Sequence, residues 1–181
     1  MGDLSEHFSK RDFFSKNPNQ RGYYKISLVL VGYLELIREH FKQHVDIVKG
    51  YITAEEAEKE GSFKKNWHAF GKAVAFKVQN VDPIKVFQFC DQLKELTGVG
   101  IDPVNGTVHI DVRDRETLRY VVEAGINTKL TPELRQKYNL GAEPAPLNLK
   151  EVTPIKSMLD DDDGTPVAVT QLQSPGPASA L

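Results

Sequence analysis

Two histidines set on strand-like backgrounds are the residues of this chain whose types and spacing suit chemistry. His68 lies in residues 67–78, WHAFGKAVAFKV, and His109 in residues 107–113, TVHIDVR. In the second stretch Val108, Ile110 and Val112 alternate with Thr107, His109, Asp111 and Arg113, which makes one face apolar and the other polar. His109 and Asp111 therefore point the same way. In the first stretch the run from Ala73 to Val78 is small, β-branched or aromatic and is entered through Gly71, the pattern of a half-buried strand. Antiparallel pairing of these strands would bring His68, at the mouth of one, and His109 to a common point. Two convergent neutral imidazoles are the beginning of a metal site, and zinc asks for three or four such ligands.

Other reactive side chains carry blander readings. His40 and His44 stand four apart, but with no third ligand in reach they read as a solvated helix face. Cys90, the only cysteine, sits in the apolar run Val86, Phe87, Phe89, Leu93 and reads as a buried helix residue with no activating base. Asp160 to Asp163 has charge for calcium without the spaced loop ligands, and reads as a solvated acidic linker.

The elements that must hold the two histidines can be read in order. Ser9 followed by Asp12 opens a short helix that buries Phe8, Phe13 and Phe14. A long amphipathic helix is predicted over 26–44, where Ile26, Val29, Leu30, Tyr33, Leu34, Ile37 and Phe41 recur at three and four residues. A short strand over 45–48 ends at Gly50, and Thr53 with Glu56 forms a capping box for a helix over 53–60. Asp82 and Pro83 start a second amphipathic helix running from Ile84 to Leu96. Strands over 99–101 and 107–112 flank a turn at 103–106, with Asn105-Gly106 as the hairpin signal that presents His109 to His68. Residues 115–123 are predicted helical from Leu118, Val121 and Val122, and another short helix runs from Thr131 through Tyr138.

His68, Gly71 and Ala73, followed later by His109-Ile110-Asp111, resemble the zinc peptidases of the D-alanyl-D-alanine carboxypeptidase type. These peptidoglycan-cutting enzymes share a fold with the Sonic hedgehog signalling domain. Residues 4–13, LSEHFSKRDF, are similar to the family's opening S-x-x-F-x-x-x-E-F segment, and residues 50–55, GYITAE, to its G-Y-R-T-x-E turn. The landmarks fall in the family's order between Leu4 and Val112. The family pattern is His-x-x-Gly-x-Ala-x-Asp, then a His-x-Asp or Glu-x-x-His segment, with the first His, the Asp and the last His on the metal. This chain departs from it at three places. Ala75 stands where the metal-binding Asp is expected, Ile52 where a substrate-holding Arg is expected, and Gly106 where relatives of the Glu-x-x-His form keep a general base. A zinc hydrolase needs a protein ligand set with one open position and a base for the bound water. What remains is a two-histidine, one-carboxylate set of His68, His109 and Asp111, with Asp111 on the strand face of His109. Zinc is the cofactor if that set works; otherwise none is expected, and no catalytic residue is assigned.

The elements and the resemblance together predict an α+β domain over residues 1–141. Its small antiparallel sheet carries the degenerate metal site and packs against several helices. At 181 residues the chain can bury a self-sufficient core without metal or disulfide. A net charge of −2, with no basic stripe among aromatics, argues against nucleic acid as a partner, and no run of 18 apolar residues is long enough to span a membrane. No charged-plus-apolar signal opens the chain, so the expected location is the cytoplasm or a virion. Residues 142–181 hold six prolines and few large apolar side chains, the composition of an extended tail that attaches to protein partners, with 166–169 (PVAV) as a piece suited to strand addition. The expected function is that of a degenerate peptidase-fold protein acting as a structural or binding component of a larger assembly such as a phage virion. The alternative is an active, endolysin-like zinc peptidase of peptidoglycan with a rearranged site. A third reading, a module that grips peptidoglycan peptides without cutting them, is weakened by Ile52, which lacks the guanidinium that would clamp a carboxylate.

Overall fold

A computed structural model of the chain describes residues 2–17, 22–61, 66–114 and 116–145. The strands are β1 (Val45–Lys49), β2 (Ala73–Val78), β3 (Gly98–Asp102), β4 (Thr107–Asp111), β5 (Leu118–Glu123) and β6 (Ile126–Lys129), with period-two alternation of apolar residues clearest in β2, β3 and β4. They form one sheet in the order β1-β2-β4-β3-β5-β6. All neighbours are antiparallel except β3 and β5, which run parallel. Val74, Phe76 and Val78 of β2, Val108 and Ile110 of β4, Val99 and Ile101 of β3 and Val121 of β5 all point to one face and are at most 5% exposed.

Two amphipathic helices, α1 (Leu28–Phe41) and α3 (Pro83–Gln92), lie on that face and complete the core with Leu30, Leu34, Ile37, Phe87 and Cys90. The shorter helices are α2 (Ala54–Lys59) and α4 (Pro132–Lys137), and single 3-10 turns span Lys10–Phe13 and Trp67–Phe70. The predicted caps are in place: the Thr53 hydroxyl accepts from Glu56 N–H while the Glu56 carboxylate accepts from Thr53 N–H, and Asp82 accepts from Ile84 N–H. The long helix is shorter than its periodicity suggests because Lys42 turns left-handed at φ 51° and closes it. Cys90 is buried in the core, and burial pushes its thiol pKa up.

One expectation is overturned. Residues 118–123, read as helical, form strand β5 in parallel register with β3. Leu118, Val121 and Val122 do fall at helical spacing, but parallel pairing with β3 satisfies the backbone and buries Val121, so tertiary context overrides the local pattern. The β5–β6 hairpin closes through Ala124 and Gly125 at φ 49° and 79°, the double left-handed geometry that Asn-Gly usually signals. The Asn105-Gly106 pair, in contrast, belongs to a longer turn in which Asp102 accepts from the N–H groups of Val104 and Asn105, and only Gly106 is left-handed.

Leu140 is buried against the core, and 142–145 follow without helix or strand. The rest of the predicted tail, with the acidic run Asp160 to Asp163 and the 166–169 piece, lies outside the described residues.

A buried carboxylate ties α3 to β5 and α4. Asp91 of α3 lies 2.8 Å from Arg119 of β5 and 2.8 Å from Arg135 of α4, and Arg119 also donates to the Leu96 carbonyl. Removing one member of such a set strands the others without a counter-charge. Asp91→Asn is therefore expected to cost about 3–5 kcal/mol in urea unfolding; a loss below about 1 kcal/mol, the scale of an exposed pair, would show that the triad is not a buried ion cluster.

Candidate functional site

The sheet face turned away from α1 and α3 carries small and polar side chains. It forms one wall of a cleft of about 800 Å³ bordered by Lys49, Trp67, His68, Ala75, His109 and Tyr120. The strand register places its contents: His109 stands opposite Ala75 on one side and Gly100 on the other, while Asp111 stands opposite Ala73 and Gly98. Both glycines are required by space. A Cβ at Gly98 would lie 1.9 Å from Asp111 Oδ2, and one at Gly100 would lie 2.2 Å from the Tyr120 ring. The β3 sequence Gly98-Val99-Gly100 thus puts Val99 in the core and empties the opposite face for a carboxylate and a phenol.

His68 reaches the cleft from the 3-10 turn before β2. Asn66 caps that turn by accepting from His68 N–H, and Gly71, left-handed at φ 69°, ends it and redirects the chain into the strand. His68 is 7% exposed and its Nδ1–H donates to the Gly50 carbonyl over 2.9 Å, which fixes the tautomer and leaves the lone pair on Nε2. Burial, then the neighbouring His109 and Lys49, hold the His68 pKa well below its usual value, so the imidazole is neutral.

The His68 and His109 rings meet edge to face with centroids 5.1 Å apart. His109 Nε2–H donates to Asp111 Oδ2 over 3.0 Å, and the Tyr120 ring lies 5.7 Å from the His109 ring. Asp111 is wholly buried, which alone would raise its pKa. Hydrogen bonds from Arg113 and His109 reverse the sign and bring it down to about 2. Arg113 grips both oxygens, Nε on Oδ1 at 2.6 Å and Nη2 on Oδ2, and its guanidinium lies 5.6 Å from the centre of the Trp67 ring.

The structure sets the His68 ring against the His109 ring and His109 against Asp111, with Ala75 directly across the strand from His109 on the same face. Ile52 is buried in a small apolar cluster with Ala57 of α2 and Ala69 of the histidine turn. Gly106 sits in the β3–β4 turn. His40 stacks on Phe89 at 3.9 Å and His44 pairs with Asp46 at 3.2 Å, so the two turn to separate partners. Among the described residues, no three His, Cys, Asp or Glu side chains are grouped closely enough to hold a metal ion.

A family model described as Peptidase M15 matches residues 6–111. The chain belongs to the peptidase M15 family. The matched span takes in β1 to β4, both cleft histidines and Asp111, and supports a D-alanyl-D-alanine carboxypeptidase-like member. Neither a curated protein nor a solved structure matches the chain. Two groups that complete the cleft of this M15 protein, Arg113 and Tyr120, follow the matched span. The polar alternation Thr107, His109, Asp111, Arg113 already places the arginine on the site's face, whereas Tyr120 was hidden by the helical reading of its segment. Lys49 was missed because a bulge at Ile47–Lys49 shifts the register and sets Lys49 opposite Ala75.

The lowered Asp111 pKa has a defined consequence for stability. A carboxyl whose pKa is lower folded than unfolded stabilises the fold above its unfolded value, near 4, and that contribution is lost as pH falls through about 2. Asp111→Asn is expected to flatten the acid limb of the unfolding free energy by about 2 kcal/mol between pH 5 and 2. Parallel slopes for the two proteins in pH-dependent urea titrations would contradict this.

Proposed function

We propose that this M15 chain is a catalytically degenerate peptidase-fold protein, a structural or binding component of a larger assembly such as a phage virion, which works without a cofactor. The observation that carries the reading is the methyl group of Ala75, directly across from His109 where a third donor would have to stand. A zinc hydrolase holds its ion with three protein donors and leaves one position for water. Here Asp111 cannot readily supply the missing donor, because Arg113 occupies both of its oxygens and His109 shares one. Lys49 and Arg113 are cations at the same cleft, and their fields oppose entry of a divalent ion. Ile52, packed into a small apolar cluster with Ala57 and Ala69, offers a substrate carboxylate nothing to bind. Residues 142–181, rich in proline and acidic residues, serve in this reading as the arm that attaches to protein partners, in the cytoplasm or in the particle.

A second reading has its own support. The His68 ring, anchored through Nδ1 to a backbone carbonyl, has the arrangement that metal-ligating histidines adopt, and His109 with Asp111 supplies two more donors on one strand face. In that reading the chain is an active, zinc-dependent peptidoglycan peptidase with a rearranged set of His68, His109 and Asp111.

Incubating the full chain with zinc and purified peptidoglycan separates the two. The scaffold reading expects neither one equivalent of bound zinc after dialysis nor release of stem peptides. Stoichiometric zinc together with cleavage that His109→Ala abolishes would establish the peptidase instead.

A further inference from the structure

We propose that the cavity bordered by β5, β6 and α4 is a carboxylate-binding site, and that the carboxylates it takes are those of Asp160 to Asp163 of the same chain. The site lies beyond the M15-matched residues and stands whatever the His68–His109 cleft does. It starts from a charge that is left over. Asp91 is one carboxylate between two guanidiniums, Arg119 and Arg135, each 2.8 Å away, and all three side chains are at most 10% exposed. The cluster therefore carries one positive charge in excess in a sheltered place, where an unmatched charge is costly.

The two arginines are used differently. Arg119 directs its donors into the fold, Nε on Asp91 Oδ1 and Nη1 on the Leu96 carbonyl. Arg135, 8% exposed, approaches Asp91 Oδ2 through Nη1 without the geometry of a hydrogen bond, and its guanidinium donates to no other described residue. It borders a cavity of about 750 Å³, where Lys129 of β6 adds a second positive charge. Among the described residues the one acid on that border is Glu143, which is exposed and lies 3.5 Å from Lys94. A sheltered guanidinium with free N–H groups is suited to a carboxylate. The chain itself leaves along this cavity through Gly141, Ala142 and Glu143, and its acidic run begins at Asp160, fifteen positions beyond Ala145, the last residue described. Fifteen residues reach at most about 50 Å when extended and about 20 Å as a random chain, enough to return to the cavity from its own rim. Exposed ion pairs between separate molecules are weak. A tether this short holds the acidic run at an effective concentration in the millimolar range, so a modest affinity is sufficient.

The test uses the full chain with Gly164→Cys carrying a nitroxide; Cys90, buried with its thiol pKa pushed up, stays unmodified. In NMR spectra of the isotope-labelled chain the nitroxide is expected to broaden the amide signals of Lys129, Leu130 and Gln136 and to leave those of β1, at the opposite edge of the sheet, sharp. Changing Asp160, Asp161, Asp162 and Asp163 together to asparagine is expected to abolish the broadening. Salt at about 1 M should do the same, because screening then acts within about 3 Å. Arg135→Gln is expected to abolish it as well. Should that variant fail to fold, Lys129→Glu on the exposed edge strand reverses a charge at the cavity and is expected to weaken it. Diluting the nitroxide-bearing chain with chain that carries neither label preserves the broadening when it arises within one molecule. Its loss on dilution would assign the contact to a second copy and overturn the proposal. Absence of broadening at the cavity, or broadening unchanged by the asparagine substitutions or by the Arg135 and Lys129 variants, would overturn it too.

Discussion

A carboxylate with no solvent contact sets the terms for the open face of the sheet. Asp111 must remain ionised in a place where hydration is denied to it, and burying a lone charge costs far more than one hydrogen bond returns. The surroundings answer that demand piece by piece. Gly98 gives up its side chain so that the carboxylate can lie across β3. Arg113 takes both oxygens, and His109 turns its Nε2–H toward one of them. The orientation of His109 decides where its ring meets His68, and the position of Arg113 decides what lies over Trp67. A change at Asp111 would therefore disturb the cleft as a unit.

The two faces of the sheet are chemically independent. Alternation sends Val74, Phe76, Val99, Ile101, Val108 and Ile110 to the helices, where they are almost fully buried, while the intervening residues shape the cleft. The apolar layer against α1 and α3, with the Asp91 cluster at its edge, contains no residue of the His68–His109 site. A domain of this size can stabilise itself by apolar burial alone. A methyl group at Ala75, on the cleft side, is therefore compatible with an intact fold, because the apolar core lies on the other side of the sheet. This separation lets the cleft side vary without disturbing the packing against α1 and α3.

Much of this was legible in the residues, and the gaps have physical causes. The histidine strands, the capping box at Thr53, the Asp82-Pro83 helix start and the placing of His109 and Asp111 on one face all follow from periodicities that tertiary packing reinforces. Strand β5 was misread because its apolar spacing fits a helix as well as a strand, and its turn uses Ala124 where asparagine would have marked a hairpin. The parallel β3–β5 pairing could not be read locally, since it joins segments that are not neighbours along the chain. For the same reason Tyr120 did not appear among the site residues, although Gly100 opposite it was a hint that something large needed the room. The bulge that directs Lys49 at Ala75 leaves no sequence mark of its own.

The family match takes in most of the cleft. Residues 6–111 supply both imidazoles, the buried carboxylate and the floor of β2, β3 and β4, which is the part that makes the chain an M15 protein. Arg113 and Tyr120 come after that span, on the end of β4's polar face and on β5. They are also the groups that saturate Asp111 and fill the space above Gly100. The framework of the site lies within the matched residues, and Arg113 and Tyr120 border the same cleft from just beyond them. The cleft thus combines the architecture of a peptidase M15 domain with a buried carboxylate whose charge is met by the arginine two residues further along the same polar face.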